Sequence, residues 1–231
     1  MCVVIEELLL NTTKKIPVLE RVTKKNEQVA NENRALFREN NLICINIMGS
    51  PGGGKTTLIE NTILKLKGKK KIAVIEGDLA TSIDAERIKE LGVDVLQINT
   101  GGMCHLDAPL ISKALKKMDL KDIDILFIEN VGNLVCPSSH DLGEDYRVII
   151  ASVPEGPHKP KKYPVIYKDA DVVIITKADL LEHFPDFTEE VLFGHAKEIR
   201  PDILTFTVAL KGTESIEEWI HWLENLKPKT K

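Results

Sequence analysis

The chain has 231 residues, of which 43% are hydrophobic, so it can bury one sizeable core, and we expect one main domain. Its formal net charge of −4 gives no basic excess, and neither nucleic acid nor a membrane surface is expected as a partner. The 4 cysteines are too few for a disulfide-stapled secreted protein. A reducing compartment, with the cytoplasm as the default, is the resulting expectation.

The amino-terminal region, residues 1–40, is charged and contains no glycine. Its apolar residues recur at spacings of three, four and seven, which predicts an amphipathic helical arm lying on the main body. The first segment, MCVVIEELLLNTTKK, carries Glu6 and Glu7 in its apolar stretch and has no basic leader, so no signal peptide is expected. No run approaches the ~20 apolar residues that cross a bilayer.

From residue 41 to 227 the pattern changes to apolar runs separated by helical lengths. The seven runs are LICINIM, KIAVIEGD, VDVLQINT, IDILFIEN, YRVIIASV, ADVVIITKAD and ILTFTVAL. Strands this apolar are buried on both faces, which predicts an α/β fold with a doubly wound, mostly parallel sheet. The proline-rich segment VPEGPHKPKKYP, residues 153–164, is predicted to be a loop.

A phosphate-binding loop is the most specific motif. GSPGGGKT follows the first strand and precedes a helical pattern, which matches G-x-x-x-x-G-K-[ST] in its required setting. Backbone N–H groups of such a loop surround phosphate oxygens, Lys55 neutralises them, and the Thr56 hydroxyl can ligate Mg²⁺. The residues expected to bind nucleotide are Gly49, Ser50, Pro51, Gly52, Gly53, Gly54, Lys55, Thr56 and Thr57.

The base is predicted from a second motif, Thr176-Lys177-Ala178-Asp179, which follows an apolar strand and resembles the N/T-K-x-D guanine signature. The Asp179 carboxylate can accept hydrogen bonds from the N1 and N2 donors of guanine, which adenine does not present. The Lys177 stem can lie along the base. Guanine is therefore favoured over adenine, with Thr176, Lys177 and Asp179 as the base-side residues.

Three carboxylates are predicted to serve the nucleotide chemistry together with Lys55. Asp78 and Glu129 end two of the apolar runs, and ligands gather at the carboxyl ends of parallel strands. Either side chain can hold Mg²⁺ or orient the attacking water. Asp84 can join them when a switch segment closes, or it can instead cap the following helix.

A separate metal site is predicted from Cys104 and His105, which are adjacent, and from Cys136. Thiolate and imidazole donors suit Zn²⁺ or Ni²⁺. Three donors leave a fourth ligand open, which can be water, His140 or a second copy of the chain across a twofold axis. Cys44 lies inside the first strand, and burial as a small hydrophobe is expected for it.

Together these segments resemble the hydrogenase nickel-incorporation GTPase family, HypB. The resemblance rests on GSPGGGKTTLIE, EGDLATSIDAERI, GMCHLDAPLI, LFIENVGNLVCPSSHDLGE and the TKAD segment, and it covers roughly residues 30 to 225. It implies a P-loop fold of the signal-recognition, septum-site and partition NTPase class. It also implies a GTPase that delivers nickel to NiFe hydrogenase, dimerises with GTP and carries a metal site at Cys104, His105 and Cys136.

The partners that the resemblance implies are a second nickel-binding accessory protein and the hydrogenase large subunit or its precursor. Some relatives carry a Cys- or His-rich metal motif at the amino terminus, whereas this region has Cys2 and no histidine, which predicts a minimal form. Three rival interpretations remain. They are a urease-type nickel-delivery GTPase, whose usual Cys-Pro-His arrangement is absent, a metal-binding protein with structural nucleotide, and a small-molecule kinase.

Overall fold

Seven strands form one parallel sheet in the computed structural model, which describes residues 17–78, 82–211 and 214–229, with side chains from residue 24 in the first helix. The strand order is β3-β2-β4-β1-β5-β6-β7. The strands are β1 Ile43–Gly49, β2 Ile72–Asp78, β3 Asp94–Asn99, β4 Ile125–Glu129, β5 Tyr146–Ser152, β6 Val172–Thr176 and β7 Leu204–Thr207. Six strands lie within one predicted run each, and β1 extends one residue beyond LICINIM, to Gly49. The strands pair in parallel, and the predicted α/β class is confirmed.

Helices cover both faces of the sheet. They are α1 Pro17–Glu39, α2 Lys55–Leu66, α3 Ile83–Glu90, α4 Ala108–Leu115, α5 Lys159–Lys162, α6 Pro164–Lys168, α7 Glu189–Ile199 and α8 Glu217–Glu224. Short 3₁₀ turns occur at Cys136–Ser139, Val153–Glu155, Ala178–His183 and Glu214–Ile216. Within the described residues, no helix combines the length and the apolar character needed to cross a bilayer.

The core lies on both sides of the sheet because alternate strand residues point to opposite faces. One cluster packs Ile45 and Ile47 of β1 against α2 and α8. On the opposite face, one cluster packs against α1 and α4 and another against α6 and α7. Cys44 belongs to that opposite face and is fully buried, as its sequence position predicted.

Helix α1 holds the two loops that carry the predicted metal ligands. The buried Asn33 side-chain amide donates to the carbonyl oxygens of Ala108, at 3.1 Å, and Leu142, at 2.9 Å. Arg34 forms an ion pair with Asp141 at 2.8 Å. Those carbonyls follow the Cys104 and Cys136 loops in sequence, so the helix fixes where both loops leave the site. Residues 1–16 of the predicted helical arm lie outside the described residues.

The segment 153–164 is not the continuous loop that its prolines predicted. Helical turns form at Val153–Glu155 and Lys159–Lys162, and α6 begins at Pro164. The sequence-based expectation failed because proline is compatible with the first turn of a helix, where its missing N–H needs no partner. Each of these turns has proline at its first or second position.

Candidate functional site

A cavity of about 690 Å³ opens at the carboxyl ends of β1, β2, β4 and β6, where a parallel sheet places its ligands. It brings together the phosphate loop, the strand-end carboxylates and the base motif. Its predicted lining residues are Pro51, Gly52, Gly54, Lys55, Thr56, Thr57, Asp78, Asp84, Glu129, Lys177 and Asp179, and it is also lined by Glu76, Leu210 and Lys211. Sequence reasoning therefore predicted most of the cavity wall.

The phosphate loop is held in an open turn by its glycines. Gly52 and Gly54 have φ of 68° and 95°, a left-handed conformation that glycine adopts without strain. Lys55 and Thr56 begin α2, so the backbone N–H groups of its first turn face the cavity. Lys55 Nζ lies 3.4 Å from the Ser50 carbonyl oxygen. The loop thus offers a positive, N–H-rich surface suited to phosphate.

Beneath this loop lies a pair of buried carboxyl groups. Glu129 Oε1 accepts a hydrogen bond from the Thr56 hydroxyl at 2.8 Å. Burial raises the pKa of Glu129 to about 7, although the Lys55 charge opposes the shift. Burial, followed by the Glu129 and Asp78 charges, raises the pKa of Glu76 to about 8. Sequence reasoning missed Glu76, whose signal is an acidic residue inside an otherwise apolar strand.

Asp84 lies in the first turn of α3 and lines the cavity. It is not the helix cap considered as an alternative, because Ser82 occupies the cap position. Its carboxylate pairs with Arg87 at 3.0 Å, and Arg87 also pairs with Glu60 of α2. The pairing places Asp84 over the cavity edge, next to a segment, residues 79–81, that lies outside the described residues.

One part of the base motif contacts the phosphate loop, and another part lines the cavity. Thr176 is fully buried and its hydroxyl donates to the Gly53 carbonyl at 2.6 Å, while Lys177 Nζ donates to the Gly52 carbonyl at 2.7 Å. Thr176 thus braces the phosphate loop. Asp179 lines the cavity, and its buried Oδ1 has no hydrogen-bond partner within the described part of the chain. An unpaired carboxylate oxygen at this position can accept hydrogen bonds from donors such as guanine N1 and N2.

The predicted metal ligands converge in a second place. One ligand atom each from Cys104, His105 and Cys136 lies within 4.8 Å of the others, and all three residues are half-buried. Hydrogen bonding with the Cys104 thiol raises the pKa of Cys136. Burial and the neighbouring His140 lower the pKa of His105, which keeps its ring neutral and able to ligate. The three donors form a sulfur and nitrogen set, in contrast to the oxygens of the nucleotide cavity.

His140 stands next to this cluster. Its ring stacks on His105 with centroids 3.9 Å apart, and its Nδ1 lies 3.1 Å from the Cys136 carbonyl oxygen. Donation from Nδ1 to that carbonyl leaves Nε2 with a free lone pair. His140 is not among the residues whose ligand atoms lie within 4.8 Å of one another, so in this conformation it borders the donor set.

The loop from Glu129 to Cys136 joins the two sites. Asn133 pairs with Gly49 of the phosphate loop, and its Oδ1 accepts from the Cys136 N–H at 3.4 Å. Gly132 packs so closely that a Cβ there would lie 2.9 Å from the Pro51 nitrogen. Asn130 Oδ1 accepts from the N–H of Leu106, next to His105, at 3.2 Å. Direct contacts therefore connect the phosphate loop with both metal loops.

Known proteins resemble this chain over most of its length. The family model of the CobW/HypB/UreG nucleotide-binding domain matches residues 43–205. "Hydrogenase maturation factor HypB" of Azotobacter vinelandii is 44% identical over 93% of this chain and 71% of its own length. The chain belongs to the HypB family.

Two solved HypB structures share the fold. HypB from Helicobacter pylori, described as a complex with nickel, is 38% identical over 90% of this chain and 99% of its own, with a TM-score of 0.83. HypB from Archaeoglobus fulgidus is 41% identical over 87% and 98% of the two chains, with a TM-score of 0.81. The range matched by the family model, residues 43–205, includes the phosphate loop and both metal loops of this HypB-family chain.

The two donor sets fit different ions. Oxygen ligands from a hydroxyl and carboxylates suit Mg²⁺, and the buried Glu129 Oε2 lacks a hydrogen-bond partner among the described residues. Thiolate and imidazole suit Ni²⁺ or Zn²⁺. The two donor sets thus differ in the class of ion that their atoms suit.

Proposed function

We propose that this HypB-family protein is a GTP-hydrolysing metallochaperone that assists nickel insertion into NiFe hydrogenase. Family membership and the relatives' description as hydrogenase maturation factors support this proposal. The observation that carries it is the Glu129–Cys136 loop, which joins a nucleotide cavity to a compact Cys104, His105 and Cys136 donor set.

In the proposed nucleotide site, GTP lies along the cavity with its guanine at Asp179. Lys55 neutralises the β- and γ-phosphate oxygens, and the α2 N-terminus adds its dipole. Thr56, Asp78 and Glu129 would hold Mg²⁺, which when bound neutralises phosphate charge. Asp78 or Glu129 also orients the water that attacks the γ-phosphate, and Asp84 joins them from the cavity edge.

At the metal site, Ni²⁺ or Zn²⁺ is the cargo, taken up by Cys104, His105 and Cys136. We propose that GTP brings two copies of the chain together and that the second copy completes the ligand set. Hydrolysis then relaxes the phosphate loop, and Asn133 and Gly132 pass that change to the Cys136 loop. By linkage, a metal whose affinity depends on the nucleotide must alter nucleotide binding by the same free energy.

The proposed partners follow from this role. A second nickel-binding accessory protein exchanges metal with the open cluster, and the hydrogenase large subunit or its precursor is the final acceptor. The half-buried ligands favour such a transfer, because a fully enclosed metal cannot be reached by an incoming donor.

The proposal is tested by measuring Ni²⁺ binding with GDP and with a non-hydrolysable GTP analogue. In the wild type the two affinities should differ. In the double variant Cys104→Ser and Cys136→Ser, Ni²⁺ binding should be lost in both states, whereas Cys2→Ser serves as the matched cysteine control. Unchanged Ni²⁺ binding in the double variant would refute the metal site.

A turnover assay separates the remaining alternatives. We expect Mg²⁺-dependent release of phosphate from GTP and much slower release from ATP. A protein with only structural nucleotide would bind GTP without turnover, and a small-molecule kinase would prefer ATP and transfer phosphate to an acceptor.

A further inference from the structure

Glu76 is an acidic residue of β2, two positions before the strand ends, and it lies directly beside Glu129 of β4. The two residues are register partners in the parallel pairing of these strands, so their side chains leave the same face of the sheet. That face also carries Ile72 and Val74, which pack under α2. Glu76 therefore points from the core side of the sheet toward the start of α2, where the phosphate loop ends.

The Glu76 carboxyl group is buried, and the protein leaves one of its two oxygens unpaired. Its residue is 3% exposed, and that of Glu129 is 4% exposed. In each group Oε2 has no hydrogen-bond partner among the described residues, and both side chains line the nucleotide cavity. A buried polar atom without a partner costs about 1–3 kcal/mol, so the fold gains nothing from an acid at this position.

The groups around Glu76 indicate which kind of ligand its unpaired oxygen would bind. Glu129, Asp78 and Asp84 are the nearby acids, and Lys55 is the nearby base. The Thr56 hydroxyl, which the proposed function places on Mg²⁺, is bonded to Glu129 on the same side. Oxygen-only surroundings with an excess of negative charge favour a small hydrated divalent cation, which keeps several waters as hydrogen-bond donors.

We propose that Glu76 is a positioning residue of the nucleotide site, where it accepts hydrogen bonds from the waters of the bound magnesium ion together with Glu129. This inference rests on the proposed GTPase function and extends it to a residue to which the sequence analysis assigned no role. Glu76 and Glu129 together would support the magnesium ion next to Thr56, with Asp78 and Asp84 at the outer edge of the site. Glu76 then makes nucleotide affinity depend on Mg²⁺.

The experiment is a titration of GDP binding with MgCl₂, using the full chain and a fluorescent GDP. The variant Glu76→Gln keeps the shape of the side chain and removes its charge. Glu90→Gln makes the same change on the exposed surface of α3 and is the matched control. Glu76→Asp retains the charge on a shorter side chain. Thermal unfolding of each ligand-free variant reports whether it is folded.

In Glu76→Gln, the Mg²⁺ concentration at half-maximal GDP binding should rise roughly tenfold, because the amide cannot ionise when the cation binds, as the carboxyl group can. GDP affinity in EDTA should not fall. Glu76→Asp should give a smaller rise than Glu76→Gln, and Glu90→Gln should give none.

A Glu76→Gln variant that folds and has the wild-type Mg²⁺ midpoint would overturn the inference and leave the proposed function standing. A fall of GDP affinity in EDTA equal to that in Mg²⁺ would also overturn it, since it would show a structural role. If Glu76→Gln does not fold, a wild-type midpoint in Glu76→Asp would overturn the inference equally. A wild-type chain that shows no Mg²⁺-dependent GDP binding would refute both proposals.

Discussion

The nucleotide cavity and the metal cluster differ in how complete they are within one chain. Around the cavity, Lys55, Thr56, Glu76 and Glu129 are each less than 9% exposed, and hydrogen bonds already hold the loop and the base motif. The metal cluster has three half-buried donors, and the exposed Val135 and Met103 flank it. Structural metal sites are closed four-ligand shells, so an open set of three is suited to metal that is taken up and released.

The difference between the two sites favours an order of events in which the nucleotide cavity acts on the metal cluster. A rigid cavity that changes by one phosphate can act on a loosely held cluster, provided that a short path of direct contacts connects them. The contacts of Gly132 with Pro51 and of Asn133 with Gly49 form such a path. Substitutions in the cavity should change it alone, and a substitution in the contact path should weaken its effect on the metal cluster.

The largest effect is expected from Lys55→Ala, which disables the cavity alone. Losing the charge that faces the phosphates should lower GTP turnover on the order of 10²- to 10³-fold. Ni²⁺ affinity of the nucleotide-free protein should stay within about twofold of wild type, because the cluster is separate from Lys55. Phosphate release and Ni²⁺ titration measure the two effects, with Lys197→Ala on α7 as the control. A large loss of Ni²⁺ affinity without nucleotide would contradict the separation.

The second effect is a pH dependence located in the cavity. The folded-state pKa of Glu76, about 8, exceeds its ordinary value of 4.5, so the folded protein binds more protons than the unfolded chain between those values. The stabilisation is complete below about pH 4.5 and is lost as the pH rises through about 8. In EDTA and without nucleotide, the free energy of unfolding should fall over this window, by less than the ~5 kcal/mol that the full shift corresponds to, because water screens part of the charge.

The control for this prediction is Glu76→Gln, measured by urea unfolding at a series of pH values. Its stability should vary less across the window, because the Glu76 carboxyl group is gone, although Glu129, whose pKa is also raised to about 7, still titrates there. Identical pH profiles for the variant and the wild type would contradict the assignment of this dependence to Glu76.

A third effect concerns the base. Asp179→Asn replaces an acceptor by an amide, so GDP affinity should fall roughly 10- to 100-fold through the loss of charged hydrogen bonds. The xanthine nucleotide, which has a carbonyl where guanine has its N2 amine, should bind the variant better than the wild type. Asp186→Asn changes an exposed acid nearby and should affect neither nucleotide. Unchanged GDP affinity in Asp179→Asn would exclude this residue from base recognition.

The smallest effect is expected from Gly132→Ala, which strains the path between the sites. Its Cβ would lie 2.8–3.0 Å from atoms of Pro51, so the free energy of unfolding should fall by about 1–2 kcal/mol. The difference between Ni²⁺ affinities with GDP and with a GTP analogue should shrink. Gly194→Ala is the matched control, because nothing lies within 4 Å of the added Cβ. A full nucleotide response in Gly132→Ala would remove this contact from the path.

Much of the fold was predictable, because short apolar runs separated by helical lengths are typical of parallel strands covered on both faces. The strand order was not, since it depends on where each crossover helix packs. Glu76 was overlooked for a similar reason. Its position within KIAVIEGD looks like part of the strand, and only the register with Glu129 shows that it reaches the cavity. Thr176 was assigned to the base side, whereas its hydrogen bond to Gly53 depends on the tertiary approach of the two loops.

The metal donor set was predictable in identity and not in geometry. The chemistry of Cys104, His105 and Cys136 could be inferred from residue type, but their convergence depends on α1, whose Asn33 holds both loops. The stacking of His140 on His105 likewise has no sequence signal. Such contacts join segments far apart in the chain, and local patterns do not encode them.

The most direct test of the coupling is a pair of calorimetric titrations of Ni²⁺ into the wild-type chain, one saturated with Mg²⁺ and GDP and the other with Mg²⁺ and a non-hydrolysable GTP analogue. A transmitted change should make the two Ni²⁺ dissociation constants differ by about 5- to 150-fold, the usual range of coupling between sites. Equal dissociation constants in the two states would contradict the account, because a metal site that does not respond to the nucleotide is not coupled to it.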